Sequence, residues 1–294
     1  MASRFTAQRR RLLALIAGAL AISPFNPAAA APPSGTDLLQ TIINRGTIRI
    51  GVSPDLPGMA FRNPESGVFV GAEVLLGRTL ARGLLGSDRQ VEFSGLLPGN
   101  RINALLSGTV DLVIAQLTIT PERQTQVDFS MPYVTAHEAV LVLADSAIHD
   151  LQDLQKRSVA VAEGSATEQR YRRSQPGIKL IVTKHESGGV ELVRLRQVAG
   201  MANDDLNLNG LMLSIKDPQT FRIVNVGRCF APKPFGIAMG KGNPALMAAV
   251  DRQLIALQRQ GSLANMFAEV QKPEGDSRAV ASRPCPPSGP AATP

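Results

Sequence analysis

The 294-residue sequence has no tryptophan, two tyrosines, two cysteines and three histidines, and its aromatic content is 4%. A sugar site or single-strand nucleic-acid platform built on indole stacking is therefore excluded. Two cysteines and three histidines, widely scattered, offer no metal-ligand spacing, and neither a metal nor another cofactor is expected. No apolar run reaches the roughly 20 residues that cross a bilayer. What is present is a 44% apolar content, enough for a buried core, in a length that fits one large domain or two small ones. The net charge of +7 raises the question of nucleic acid. Four of the arginines, Arg4, Arg9, Arg10 and Arg11, lie in residues 1–30, which hold no acid. The remainder carries 27 basic and 24 acidic residues, a balance of +3, and no nucleic-acid partner is expected.

Those thirty residues have the order of a secretory signal peptide: a basic stretch ending at Arg11, an apolar run from Leu12 to Ile22, and small residues at Ala28 to Ala31. Cleavage is expected after Ala30. The arginine run weakly resembles a twin-arginine signal, and an ordinary Sec signal with a basic n-region is the preferred reading. No cysteine follows the apolar run, so no lipid anchor is expected, and the protein should be periplasmic. Cys229 and Cys285 would then meet an oxidising compartment. A disulfide between them would staple a Pro-rich tail, 272–294, onto the body; two free thiols are the alternative.

After a linker, 31–46, the chain alternates strands and helices. Strands are expected at Thr47–Val52, Gln90–Phe93 and Asp111–Ala115, with helices at Gly71–Leu85 and Asn100–Leu106 between them. Ser53–Ser66, with Pro54, Pro57, Gly58 and Pro64, reads as a loop. A second alternation follows: strands at Ala139–Leu143, Ser158–Ala162, Lys179–Val182, Val198–Ala202 and Phe235–Met239, with helices after Ser165 and over Val190–Gln197. Asn243-Pro244 opens a long helix with Leu246, Val250, Leu254 and Leu257 on its core face, and Ser262 should cap the last one. Two α/β blocks are implied, the first with a parallel sheet.

Three segments carry chemistry. Gln116 to Arg123 (QLTITPER) follows a strand, and Thr120-Pro121 marks a helix start. Backbone N–H groups, hydroxyls and the Arg123 guanidinium there suit a carboxylate. Arg123 capping a surface helix or pairing with Glu122 is the alternative. Glu163-Gly164-Ser165-Ala166-Thr167 is a second anion cradle, or an ordinary β–α turn. Asn203-Asp204-Asp205 after a strand would hold an ammonium, or simply cap a helix. Together they describe a site for a zwitterion.

Four runs make a resemblance specific: Gly71-Ala72-Glu73-Val74; Leu106 to Asp111 (LSGTVD); Thr118 to Arg123 (TITPER); and Val127 to Tyr133 (VDFSMPY). In this order and spacing they resemble family 3 bacterial extracellular solute-binding proteins, the periplasmic amino-acid receptors of ABC importers, over about 47–270. The resemblance implies a type II periplasmic binding protein fold: two α/β lobes, each a mostly parallel sheet flanked by helices, joined by two crossing strands. Lobe 1 would comprise 47–136 and 231–271, and lobe 2 would comprise 137–230. Carried over by position, Arg123 clamps the α-carboxylate with help from Thr118 and the 165–167 loop (Ser165, Ala166, Thr167), and Asp204 takes the α-ammonium. Gln116 falls where the family often has Ser or Gly and would contact the ligand. Ala166 replaces a common hydroxyl residue, so its contact would come from backbone N–H. Leu75 stands where a second acid is usual. Leu56 stands near where many relatives stack an aromatic ring.

The nearest subgroup is the glutamate/aspartate receptors. Arg101 sits where their arginine meets the second carboxylate, and His185 lies one residue out of register from a ligand-contacting histidine. The basic residue they carry near Ser53 is missing. Arg101 as a solvated helix residue, and His185 as a surface loop residue, are the alternatives. The expected function is a monomeric, non-enzymatic receptor for a polar amino acid, acidic or glutamine, that delivers it to permease subunits. Two other readings stay open. One is a dehydratase for prephenate-like acids on the same fold, with Glu163 or Glu168 as proton donor. The other is a ligand sensor without an importer.

Overall fold

A computed structural model of the chain describes residues 37–271 and 284–286. The expected signal peptide and most of the Pro-rich tail lie outside the described residues. The described residues open with helix α1 (Leu38–Arg45), where a linker was expected. Asp37 caps it by accepting from the Leu39 N–H at 3.0 Å, and Ile42 buries its apolar side. Then come β1 (Ile48–Val52), β2 (Asp55–Leu56), β3 (Ala60–Arg62), β4 (Phe69–Val70) and α2 (Ala72–Leu85). β2 and β3 fall within the expected loop Ser53–Ser66, and with β4 they form a small antiparallel sheet. They are followed by β5 (Val91–Gly95), α3 (Arg101–Leu106), β6 (Leu112–Val113), α4 (Pro121–Gln124) and β7 (Val127–Ala136).

The chain crosses at His137 into β8 (Glu138–Leu143), β9 (Ser158–Ala162), α5 (Ala166–Ser174), β10 (Lys179–Thr183), α6 (Glu186–Arg194), β11 (Gly200–Asp204), α7 (Asp205–Met212) and β12 (Phe221–Asn225). Residues 226–232 carry it back to β13 (Lys233–Gly240), α8 (Pro244–Arg259) and α9 (Ser262–Phe267). Two five-stranded sheets result, with orders β5-β1-β6-β13-β7 and β10-β9-β11-β8-β12. Their plans match: three mutually parallel strands, then a fourth that pairs antiparallel with its neighbours on both sides. Each sheet with its helices is a lobe.

The sequence explains most of this. β1 (IRIGV) and β9 (SVAVA) are nearly continuous apolar runs, as strands covered on both faces require, and all but one residue of each is buried. Leu76 and Leu80 of α2, and Leu246, Val250, Leu254 and Leu257 of α8, are buried as their spacing predicts. Gly71 precedes α2 at φ 119°, and a Cβ there would stand 2.5 Å from the Met59 carbonyl oxygen. Only glycine fits that corner.

Several boundaries differ from expectation. Helix α6 begins at Glu186, four residues before the expected Val190, and runs through Gly188 and Gly189. A Cβ on Gly189 would meet the Met201 sulfur at 2.7 Å, so this glycine serves close packing on β11. Asn243 does not cap α8 with its side chain; its amide donates to the carbonyls of Gly240 and Lys241. Ser262 is the first residue of α9, and Gly261 occupies the cap. Strands β7 and β12, each at one edge of its sheet, were not expected. β7 contains Pro132, which an edge position tolerates.

Cys229, in the returning crossing segment, is disulfide-bonded to Cys285, with Cα atoms 5.5 Å apart. No helix among the described residues is long and apolar enough to cross a membrane.

Candidate functional site

The cleft between the lobes collects buried charge. On the lobe 1 side the floor is made where β1 and β6 end. Glu73, near the start of α2, is fully buried and receives three bonds: from Tyr133 Oη at 2.5 Å, from the Gln116 N–H at 2.8 Å, and from the Gln116 side-chain amide. Burial still pushes its carboxyl up to about 7 against these donors. Gln116 itself has φ 44°, a left-handed backbone for a residue with a side chain. Its carbonyl Oε1 accepts from Ser53 Oγ at 2.7 Å and from Arg101 Nη2 at 3.4 Å. Gln116 thus turns its side chain into the wall rather than outward.

Arg101 is buried at the start of α3, so the solvated alternative does not hold. Nη2 donates to Ser53 Oγ at 2.8 Å, and Nε is buried with no partner. Burial presses its guanidinium below the ordinary range, while Glu186, Glu73 and Asp55 oppose that shift. Leu56 is fully buried in β2.

Arg123 is placed by the helix start read from the sequence. Thr120 caps α4, its hydroxyl accepting from the Arg123 N–H at 3.3 Å, and Pro121 is the first helical residue. The guanidinium donates to the Thr118 carbonyl at 2.8 Å and, across the cleft, to the Gly164 carbonyl at 3.1 Å. Burial, and then the neighbouring Arg101 charge, lower its pKa to about 10, so it stays a cation at neutral pH. It pairs with no carboxylate among the described residues.

The lobe 2 side supplies the turn before α5. Ser165 caps the helix, its hydroxyl accepting from the Glu168 N–H at 3.0 Å, and Ala166 is the first helical residue. Gly164 has φ +70°, and a Cβ on it would stand 2.8 Å from the Gly99 Cα of lobe 1. The two lobes touch backbone to backbone there. Thr167 faces the other way: its hydroxyl contacts the buried Lys233 Nζ, which also holds Glu138 at 3.0 Å beside the first crossing. Asp204 ends β11 and caps α7, with Oδ1 accepting from the Asn207 N–H at 2.9 Å. Burial pushes its carboxyl up to about 7, opposed by Lys233. The capping role read from the sequence is real, and it does not remove Asp204 from the cleft charge network. His185 lies at the rim, its side chain 57% exposed and 3.7 Å from Asp55 of lobe 1.

Three further groups belong here: Glu73, Tyr133 and Glu186. Glu186, at the first turn of α6, is 2% exposed and receives a bond from the Asn203 amide. Burial pushes it up to about 7, with Arg101 opposing and Asp204 and Asp55 adding to the shift. A single acid flanked by apolar residues on a helix, as Glu73 is, was a readable signal. Glu186 had none, because it follows a polar loop. Of the proton donors considered for an enzyme, Glu163 is exposed beside the Gly164 turn, and Glu168 accepts from the Gly164 N–H and from Arg172.

Comparison with known proteins agrees with this architecture. Residues 48–270 match the profile of bacterial extracellular solute-binding proteins, family 3, and the chain belongs to that family. A glutamine-binding protein of Geobacillus stearothermophilus is 30% identical over 209 residues, covering 71% of this chain and 78% of the relative. Among solved structures, the solute receptor for L-cysteine of Neisseria gonorrhoeae is similar, with a TM-score of 0.73 and 28% identity over 79% of this chain and 93% of that one. An ancestral arginine-binding protein bound to glutamine is similar at a TM-score of 0.70 and 30% identity, over 78% of this chain and 99% of that one.

Proposed function

We propose that this protein is the amino-acid receptor of an ABC importer, exported by its first thirty residues and working outside the cytoplasmic membrane. The observation that carries the reading is Arg123: a buried cation whose partners among the described residues are two backbone carbonyls, one from each lobe, with further donors to spare. A ligand carboxylate gives it a far stronger partner. In this reading the α-carboxylate lies between Arg123 and the turn at Ser165–Ala166, and the α-ammonium meets Asp204. The side chain points towards Ser53, Leu56, Gln116 and Arg101, which favours a polar amino acid, acidic or the corresponding amide. Thr118 contributes by holding Arg123, and Thr167 by fastening the turn to Lys233. Ligand contacts from both lobes stabilise the closed form, which permease subunits would recognise.

A thermal-shift screen against the twenty amino acids tests the reading, because a ligand that binds only the folded state raises the melting temperature. At least one polar amino acid should do so, and Arg123→Ala should abolish the shift. A shift of unchanged size in Arg123→Ala would sink the proposal.

A further inference from the structure

Glu186 and Arg101 approach the cleft from opposite lobes. Both are buried, each feels the other's charge, and no ion pair joins them among the described residues. Each also has capacity to spare. Arg101 Nε is buried without a partner. Glu186 uses Oε2 to accept from Asn203, and Oε1 makes no hydrogen bond among the described residues. Asn203 in turn accepts from the Asp204 N–H at 2.9 Å, which ties this acid to the residue assigned to the ligand ammonium.

We infer that Glu186 and Arg101 together read the far end of the ligand side chain, and that Glu186 decides between an amide and a carboxylate there. This rests on the amino-acid reading of the cleft. Arg101 donates to an oxygen of either group. Glu186 as a carboxylate accepts from the N–H of a side-chain amide. Against a side-chain carboxylate it would be a buried like charge, which is strongly repulsive. It must then take a proton from solvent onto Oε1, and the O–H donates to the ligand oxygen. The site therefore takes the acid with one more proton than the amide.

The charged groups facing Glu186 are Arg101 on α3, Asp55 on β2 and Asp204 on β11, with His185 beside it on the Asp55 side. Asp204 also stands at about 7. It meets the α-ammonium of either ligand, so its titration cancels when two amino acids are compared.

The experiment is calorimetry on the full chain with glutamate and with glutamine, from pH 6 to pH 9, each in two buffers of different ionisation enthalpy. Above pH 7 the ratio of the glutamate Kd to the glutamine Kd should rise about tenfold per pH unit. The proton count at pH 8 should be about one greater for glutamate. Glu186→Gln should flatten the ratio across that range. A flat ratio in the unaltered protein, equal proton counts, a slope that survives in Glu186→Gln, or binding of only one of the two at pH 6 would each overturn the inference. Failure of both to bind while another amino acid shifts the melting temperature also overturns it and leaves the receptor reading standing. If no amino acid binds, the receptor reading falls as well.

Discussion

Gln116 shows how a single position is held against its own preference. A left-handed backbone at a residue with a side chain costs on the order of 1–3 kcal/mol. Glu73 offsets this by accepting from both its N–H and its amide, and Tyr133 fixes Glu73 in turn. The cleft floor is therefore a buried polar network, and its carboxyls titrate late. Glu73, Glu186 and Asp204 all stand at about 7, raised by burial. In the unfolded chain they would titrate near pH 4. The folded ligand-free protein thus binds more protons between pH 4 and 7. That stabilisation is complete below the unfolded values and is lost as pH rises through about 7. The surface acids Glu122, Asp88, Asp145 and Asp217 are shifted downward, so they act below this window. The ligand-free protein should melt at a lower temperature at pH 8 than at pH 5.5, followed by circular dichroism. A higher melting temperature at pH 8 would contradict the assignment of these carboxyls.

The elements that were readable from sequence are those whose pattern is local. β9 and the core face of α8 follow from apolar runs and spacing alone. The family motif around Asp128 acts mostly as scaffold. Asp128 accepts from the Gly242 N–H, Ser130 from the Ile237 N–H, and Asp251 of α8 from the Met131 N–H. These bonds pin β7 to β13 and α8, and they became visible only once the strands were paired. At the turn between β9 and α5 the fit is backbone on backbone. Gly164→Ala forces a left-handed alanine, a cost of about 1–2 kcal/mol to the fold with the lobes open or closed, and places a methyl 2.8 Å from the Gly99 Cα, a clash felt only where the lobes meet. A clash of about 1.4 kcal/mol in the closed form lowers ligand affinity about tenfold. Calorimetry that finds the affinity unchanged would show that the lobes need not meet there.

Two crossings and one disulfide link the parts of the molecule. Buried Glu138, held by Lys233 and by Arg170 at 3.1 Å, lies where the crossings meet. The Cys229–Cys285 bond closes 56 residues of sequence, a span that includes β13, α8 and α9. Such a bond typically contributes about 2–4 kcal/mol. Cys285→Ser should lower the unfolding free energy by about that amount in urea titration, and an unchanged midpoint would show that the bond adds nothing.

The sequence by itself determined the α/β alternation and the two-lobe plan through a motif resemblance, and it singled out Arg123, Arg101 and Asp204, all of which prove to be buried. These rest on local patterns: apolar runs, a Thr-Pro helix start, an acid after a strand. Only the tertiary structure decided which way side chains turn. It moved Gln116 inward and Thr167 towards Lys233, left His185 on the rim, and brought Glu186 opposite Arg101 from 85 residues away in the chain. The physical reason is that a cleft is made by two lobes meeting. Burial, charge proximity and the resulting shifts in protonation are properties of that meeting, and no segment of sequence carries them alone.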